Sequence, residues 1–581
     1  MQYQNLSEIL LNNLETLKNH PAVVYKNEAG FKEMSYKQLK DKTFQLAGAL
    51  IEVGIHKGDR AVIMSQTRKE WIFSDLSILL SGGIVSAVYP TTVADEMVFI
   101  LKDLQAKFLF LENQEQVDKV HSRKSDLPFV KKAWVFEDFE NPDPDFFEAF
   151  NKMQGIENHK EEIKRRVKTT KGDDTLTIIY TSGTTGNPKG VVLSHFNYLT
   201  TLEQMKAHSP EAFENMERNL SFLPLAHALE RIGGYYLPLY NGKTIAYAGG
   251  IETLLEDFKA LKPEFIAAVP RVFEKIYSKI QIGLETAGGL KKKLFNWAVE
   301  VGHKTAPYRM KKQNIPFPLS LQHALANKLI YSKVKEMFGG NIKFFISGGA
   351  PLNPEIANFF YAINLSIYEG YGATEGTAPY TVNKPEAFKF GTVGQAIPKV
   401  DIKIADDGEI LVKGPNIFKE YYNNPEATKA SFTDDGYFKT GDIGEIDDEG
   451  FVKITDRKKQ LIITSGGKNI PPAIIQKLLM NGGIVESAFI YGDQKKYIVA
   501  LLCIDKLMAE NRGWDKTRVE KEVNNAVNKA NEQLAIYMQI KYYKILDENF
   551  TPENGLLTPT LKIKSKKVVN KYKSLLESMY N

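Results

Sequence analysis

The run Thr181-Ser-Gly-Thr-Thr-Gly-Asn-Pro-Lys-Gly190 sets hydroxyls and glycines ahead of a lysine, the side chains that triphosphate handling requires. Gly183, Gly186 and Gly190 let the backbone approach a phosphate closely, and successive N–H groups can form an anion-binding nest. Ser182, Thr184 and Thr185 add neutral donors around Lys189. The order is not a Walker A, which places Gly-Lys-Ser/Thr together; here Asn187 and Pro188 separate Gly186 from Lys189. A flexible surface turn is the alternative for such a composition. The ordered spacing through Pro188-Lys189-Gly190 argues for a nucleotide enzyme instead.

Rigid elements must hold such a loop. Leu176-Thr-Ile-Ile-Tyr180 is an apolar, β-branched run that reads as a buried strand, and Val191-Val-Leu193 reads as a second before Ser194 offers a helix cap. Comparable strand runs are Val62–Met64, Ile84–Val88, Phe108–Leu111 and Phe265–Val269, separated by helical patterns. That alternation predicts layered α/β structure with largely parallel sheets. Ala47–Gly54 followed by Lys57-Gly-Asp59 reads as a helix, its glycine stop and a turn, all scaffold. Residues 273–338 form a lysine-rich helical insertion. From about 391 to 455, Asp406-Asp-Gly408, Asp434-Asp-Gly436 and Asp447-Asp-Glu-Gly450 punctuate β-prone runs, predicting a small β subdomain.

Composition bounds the rest. At 581 residues and 43% hydrophobic, the chain should fill two or more domains. No signal peptide is visible at Met1-Gln-Tyr-Gln-Asn-Leu-Ser, and no run reaches the roughly 20 apolar residues of a membrane span. The single cysteine, Cys503, excludes an intrachain disulfide, fits a reducing compartment and reads as a buried strand residue among Leu501, Leu502 and Ile504. From Arg457 onward there are 21 basic and 12 acidic residues, against a net charge of +5 for the whole chain. This basic C-terminal part suits polyphosphate ligands such as ATP and coenzyme A, with an anionic membrane surface as the alternative. Nothing calls for a nucleic acid.

Tyr180–Gly190 resembles the signature of the acyl-adenylate-forming superfamily of acyl-CoA synthetases, luciferases and peptide-synthetase adenylation domains. Six further stretches follow in that family's order: Leu223-Pro-Leu-Ala-His-Ala-Leu-Glu-Arg231, Ser347-Gly-Gly-Ala-Pro-Leu352, Gly370-Tyr-Gly-Ala-Thr-Glu375, Tyr437-Phe-Lys-Thr-Gly-Asp442, Asp456-Arg457 and Leu557-Thr-Pro-Thr-Leu-Lys562. The resemblance covers nearly the whole chain. It implies an α/β fold with a large N-terminal domain of layered α/β subdomains plus the small β subdomain, residues 1–456, for ATP and the acyl substrate. A smaller mobile α+β lid, residues 457–581, would follow a hinge at Asp456-Arg-Lys-Lys459.

The same resemblance assigns roles. Thr181, Ser182, Gly183, Thr184, Thr185, Gly186 and Lys189 would grip pyrophosphate. Thr374 would donate to the α-phosphate, and Glu375 with Thr184 would hold Mg²⁺. Tyr371 with Gly372 would lie along the adenine, opposite Gly349, Ala350 and Pro351. Asp442 would accept two ribose hydroxyls from a turn after Thr440-Gly441, with Arg457 nearby. Lys562 would stabilise charge during adenylation, with Lys564 the rival on the same strand face. Leu561 stands where a glycine is usual and Ser565 where an arginine is frequent, which weakens any role assigned to that arginine. Ser465, Gly466, Gly467 and Lys468 would line the coenzyme A tunnel after rotation about Lys459. Gln476 stands where relatives often carry Glu, and a local hydrogen-bond change is expected.

His227 would sit beside the carboxylate, with Gly233–Leu239 lining an apolar acyl channel. No aspartate between Ser221 and Tyr240 is available for an amino-acid ammonium. The His-plus-Glu-Arg form and the insertion are similar to the long-chain branch. The expectation is a long-chain fatty acyl-CoA synthetase (AMP-forming) in the cytoplasm, with room for peripheral association at the inner membrane face and for a homodimer. The rivals are an acyl-AMP ligase that loads a carrier protein and a non-catalytic lipid- or nucleotide-binding protein.

Overall fold

The computed structural model describes residues 3–155, 159–181, 187–214, 216–250, 253–458, 461–465, 468–481, 483–551, 554–558 and 563–580, to which all elements, contacts and absences below refer. Two compact units emerge. One comprises Met1–Lys403, Leu411–Thr440 and Ile446–Lys453; the other comprises Ile404–Ile410, Gly441–Glu445 and Ile454–Asn581.

The first unit is built on two large sheets. One, of eight strands, runs in the order Glu420–Tyr421, Lys189–Ser194, Thr175–Thr181, Ile84–Ala87, Arg60–Met64, Phe108–Leu111, Lys132–Val135, Phe147–Ala149. Its central strands are parallel, and Phe108–Leu111 is buried at every position, as a strand covered on both faces must be. The other, of nine strands, runs Gln395–Ala396, Ala378–Val382, Ile367–Ala373, Phe344–Ser347, Phe265–Ala268, Arg218–Ser221, Thr244–Tyr247, Pro21–Asn27, Gly30–Ser35. The insertion is helical, as its periodicity predicts: Pro270–Thr286, Gly289–Met310, Leu319–Ala326 and Ser332–Met337.

The predicted small β subdomain is a four-stranded sheet of Asp401–Ile404, Glu409–Lys413, Phe438–Ile446 and Val452–Arg457, whose strands contribute residues to both units. Gly408, Gly436 and Gly450 take positive φ at its three Asp/Gly turns. The second unit carries the sheet Val485–Tyr491, Ile498–Ile504, Ile540–Ile545 against Pro472–Met480 and Lys516–Glu532. Cys503 is fully buried there, and burial raises its thiol. No helix is long and apolar enough to cross a membrane.

The two sheet layers of the first unit are tied by an ion pair. Arg231, on the π-helical segment Glu230–Tyr236, donates to Asp75 Oδ1 at 2.8 Å, and both side chains are wholly buried. Asp75 lies on Lys69–Leu80, and its Oδ2 accepts from the Tyr235 and Tyr236 hydroxyls at 2.8 and 2.7 Å. Arg231 also donates to Thr177 Oγ1 at 2.9 Å, on the strand that leads into the 181–190 loop. Burial opposes the Arg231 charge, but Tyr236 and Asp75 outweigh it and the guanidinium keeps its proton. The Trp71 ring, 5.1 Å away, covers the guanidinium.

This arrangement changes the reading of Gly233–Leu239. Tyr235, Tyr236, Leu237 and Leu239 are interior packing with the tyrosine hydroxyls turned to a carboxylate, so the run is not the apolar channel wall expected. Removing one charge of a buried pair leaves the other uncompensated. Arg231→Met should therefore cost about 3–5 kcal/mol of stability, read as a lower urea midpoint, whereas a loss below about 1 kcal/mol would contradict the pair's role.

Candidate functional site

Both edges of the 181–190 loop are anchored. Thr181 and Lys189 face each other at the ends of the antiparallel strands Thr175–Thr181 and Lys189–Ser194. The Tyr180 hydroxyl donates to Asp103 Oδ2 at 2.5 Å, and Asn423 donates to the Asp103 carbonyl at 3.2 Å. Burial and Asp103 both raise the Tyr180 phenol, which stays a donor. Ser182, Gly183, Thr184, Thr185 and Gly186 lie outside the described residues.

Beyond the second strand, Ser194 caps the helix His195–His208 in a reciprocal box with Asn197, as its position predicts. Asn197 does more than cap. Its amide donates to the carbonyls of Pro415 and Ile417, each at 3.0 Å, and so fixes the segment that follows. From that segment Asn416 donates to the Gly376 carbonyl at 3.0 Å and accepts, through its own carbonyl, from Thr377 Oγ1 at 2.7 Å. The Phe418 amide donates to the Glu375 carbonyl at 2.7 Å. The turn Thr374–Gly376 is thus clamped by its backbone.

Its carboxylate is held as well. The Tyr421 hydroxyl donates to Glu375 Oε1 at 2.8 Å, and Lys189 Nζ lies 4.8 Å from the Tyr421 ring centroid. Glu420 and Tyr421 pair with Val192 and Val191, which brings this tyrosine beside the lysine. Burial, reinforced by Glu375, raises the Tyr421 phenol. A cation, a phenolic donor and a carboxylate therefore converge at the end of the 181–190 loop. Tyr421, Asn416 and Asn197 were not read from the sequence as site residues, since single polar residues far from the motifs they contact carry no spacing signal.

Gly349 takes φ +83° after Phe344–Ser347, and Ala350 and Pro351 are exposed. The Leu352 amide donates to Glu369 Oε2 at 3.1 Å, which pins this turn to the strand Ile367–Ala373 carrying Tyr371 and Gly372. Tyr371 is buried with its ring edge-on to Tyr380 at 5.4 Å. A side chain on Gly372 would run into the Ala378 carbonyl of the paired strand.

His227 is half-buried in the bend before the π-helical segment; its carbonyl accepts from the Arg231 amide at 3.0 Å and its Nδ1 from the Leu229 amide at 3.3 Å. Next to it, Glu230 is fully buried and neither carboxyl oxygen has a hydrogen-bond partner. The Ser221 hydroxyl and Phe222 amide lie close enough to temper the carboxyl without meeting hydrogen-bond geometry, and burial pushes it up to about 8. A side chain at Gly234 would displace the Glu230 carboxylate. A half-open cavity of about 360 Å³ lies between the insertion and the helix Pro354–Ala362, against Tyr277, Phe295, Val299 and Phe359.

In the second unit, Asp442 does not follow a turn. The strand Phe438–Ile446 continues through it, and Gly441, at φ +73°, bends that strand while its amide donates to Glu409 Oε1 at 2.8 Å. Asp442 is buried, and Arg457 Nε donates to its Oδ1 at 2.7 Å, so the two residues are ion-paired. Burial raises the neighbouring Asp456, and the Asp442 charge adds to the shift. Ser465 and Lys468 lie between the paired strands Ile462–Ile463 and Asn469–Ile470, and Lys468 lies over the Tyr537 ring at 5.6 Å. Gln476 donates to the Ala488 carbonyl at 2.9 Å, the local hydrogen bond expected of it. Lys564 follows Ile563, which bridges to Leu557. Lys459, Gly466, Gly467 and Lys562 lie outside the described residues. No cluster of three or more His, Cys, Asp or Glu able to hold a metal occurs among the described residues.

The model of the AMP-binding enzyme family matches residues 11–422, and that of the AMP-binding enzyme C-terminal domain matches residues 459–581. The long-chain-fatty-acid–CoA ligase FadD15 of Mycobacterium tuberculosis is 34% identical over 550 residues, 92% of this chain and 90% of its own length. Long-chain-fatty-acid–CoA ligase ACSBG2 of Xenopus laevis is 29% identical, over 97% of this chain and 82% of its own. Among solved structures, the adenylation domain of the carboxylate reductase of Mycobacterium chelonae superposes with a TM-score of 0.76 at 20% identity, over 99% of this chain and 91% of its own.

Glu230 links this region to pH. Its carboxyl ionises near 4.5 when exposed but only near 8 in the folded chain. Between those values the unfolded state binds fewer protons, so stability present at low pH is lost as pH rises, by at most about 1.4 kcal/mol per pH unit. Denaturation midpoints measured from about pH 5 to pH 8 should fall, and Glu230→Gln should remove that slope. A slope unchanged in the variant would assign it to another group.

Proposed function

The chain belongs to the AMP-binding enzyme family, and from that premise we propose that it is a long-chain fatty acyl-CoA synthetase. It activates a fatty acid with ATP and transfers the acyl group to coenzyme A. In the first step a carboxylate oxygen attacks the α-phosphorus, the bond to the bridging oxygen breaks, and pyrophosphate leaves. In the second the coenzyme A thiolate attacks the acyl carbonyl, a thioester forms, and AMP leaves.

The observation that carries this reading is the convergence of Lys189, Tyr421 and Glu375 beside the 181–190 loop. Lys189 and the loop donors suit the β- and γ-phosphates, and Thr374 the α-phosphate. Glu375 has one oxygen committed to Tyr421, which leaves the sparse carboxylate donor set that Mg²⁺ uses when phosphates supply its other ligands. Glu375 and Thr184 would hold that ion, which when bound neutralises triphosphate charge. Tyr371, Gly372 and Gly349–Pro351 are assigned to the adenine and Asp442 with Arg457 to the ribose. Because Asp442 is ion-paired with Arg457, ribose hydroxyls bound there would share its carboxylate with the guanidinium.

We assign residues 1–456 to ATP and acyl binding and 457–581 to a lid that brings Lys562 to adenylation and Ser465–Lys468 to thioester formation in turn. His227 is placed at the substrate carboxylate. A cytoplasmic location fits the single reduced cysteine.

Incubating the enzyme with ATP, Mg²⁺, coenzyme A and fatty acids of increasing chain length should yield pyrophosphate, AMP and acyl-CoA in equal amounts. Accumulation of acyl-AMP without acyl-CoA would point to a carrier-protein acceptor, and no fatty-acid-dependent pyrophosphate would overturn the reading. In the same assay Lys562→Ala should abolish acyl-AMP formation yet leave thioester formation from supplied acyl-AMP largely intact; equal loss of both would refute its role.

A further inference from the structure

The helical insertion concentrates positive charge and exposed apolar side chains on one stretch of chain. Residues 287–335 contain ten lysines and arginines and one acid, a net +9 that exceeds the +5 of the whole protein. The acid, Glu300, pairs with Lys304 at 2.6 Å. From Val301 to Lys335 there is no Asp or Glu.

Large apolar side chains protrude from this cationic background. Phe317, Leu321 and Leu325 are 81%, 63% and 48% exposed. Their four-residue spacing puts the two leucines on one face of the helix Leu319–Ala326, with the phenylalanine at its entrance, while Ala326 is buried behind. Lys311, Lys312 and Lys328 flank them, all exposed. At the start of Gly289–Met310 the pattern repeats: Leu290, 84% exposed, and Leu294 stand on either side of Lys291, Lys292 and Lys293.

We infer that this insertion is a docking surface for an anionic lipid bilayer, with Phe317, Leu321 and Leu325 entering the boundary between headgroups and acyl chains and the lysines facing the headgroups. A protein partner fits these residues less well, because lysine is depleted at protein interfaces and here lysines surround the apolar groups. Protruding aromatic and aliphatic groups set among lysines are what an interfacial helix presents to lipid. The C-terminal part is the weaker candidate. Its charge is diluted by acids, and Lys495, Lys571 and Arg518 are paired with Glu577, Glu548 and Glu522.

Co-sedimentation of the full-length protein with vesicles of phosphatidylcholine containing phosphatidylglycerol tests this. Binding should be strong at low salt, fall as salt rises, and be weak on phosphatidylcholine alone. The triple variant Phe317→Ser, Leu321→Ser, Leu325→Ser should bind about tenfold or more weakly, while its activity on fatty acid in detergent stays at the wild-type level. Lys311→Glu with Lys312→Glu should weaken binding separately. Failure of the wild type to bind, or full binding by both variants, would overturn the inference. So would a wild-type dimer in solution that the triple variant dissociates, since the surface would then serve a second copy of the chain.

Discussion

A fully buried ion pair between Asp75 and Arg231 is the constraint on which the first unit is arranged. Two charges taken out of water are tolerable only where each finds its partner and the remaining donors and acceptors are used. Here Tyr235 and Tyr236, from the segment that carries Arg231, bond Asp75, and Thr177, from a different element, accepts from Arg231, which leaves only its Nε without a partner among the described residues. Thr177 lies on the strand that opens the phosphate-type loop, Asp75 on a helix of the same layer, and Arg231 four residues beyond His227. The pair therefore sets where the segment that follows His227 stands relative to the strand that opens the 181–190 loop.

A second set of contacts acts on Glu375. Ser194 caps a helix, the capping partner Asn197 holds Pro415 and Ile417, and that segment clamps the Thr374–Gly376 turn while Tyr421 holds the carboxylate. Each link is an ordinary hydrogen bond. Their serial arrangement transmits the position of the strand Lys189–Ser194 to Glu375, so the lysine and the carboxylate are placed by the same elements.

Much of this was legible in the sequence, and what was not has a common cause. The strands around the 181–190 loop, the Ser194 cap, the insertion helices and the Asp/Gly turns follow from local periodicity and turn chemistry, which act within a few residues. Asp75 and Arg231 are 156 residues apart, and no local pattern couples them. Tyr421 and Asn416 were hidden for the same reason, lying 46 and 40 residues from the Glu375 and Gly376 that they contact. Gly233–Leu239 was misread because an apolar and aromatic run looks alike whether it lines a channel or carries hydroxyls to a buried carboxylate. Gly441 was read as a turn because glycine with a following aspartate signals one, whereas the ladder on both sides keeps the strand going and uses the glycine as a bend. Arg457, assigned with Asp442 to one ligand, turned out to be its ion-pair partner.

The central claim is that the buried pair positions the chemistry rather than merely stabilising the fold. Fatty-acid-dependent ATP–pyrophosphate exchange by Asp75→Asn, assayed well below its melting temperature with secondary structure verified, tests it most directly. The substitution keeps the shape but leaves Arg231 without its counter-charge. Exchange should fall by roughly tenfold or more, a loss of at least about 1.4 kcal/mol in transition-state stabilisation. A folded variant exchanging at the wild-type rate would contradict the account.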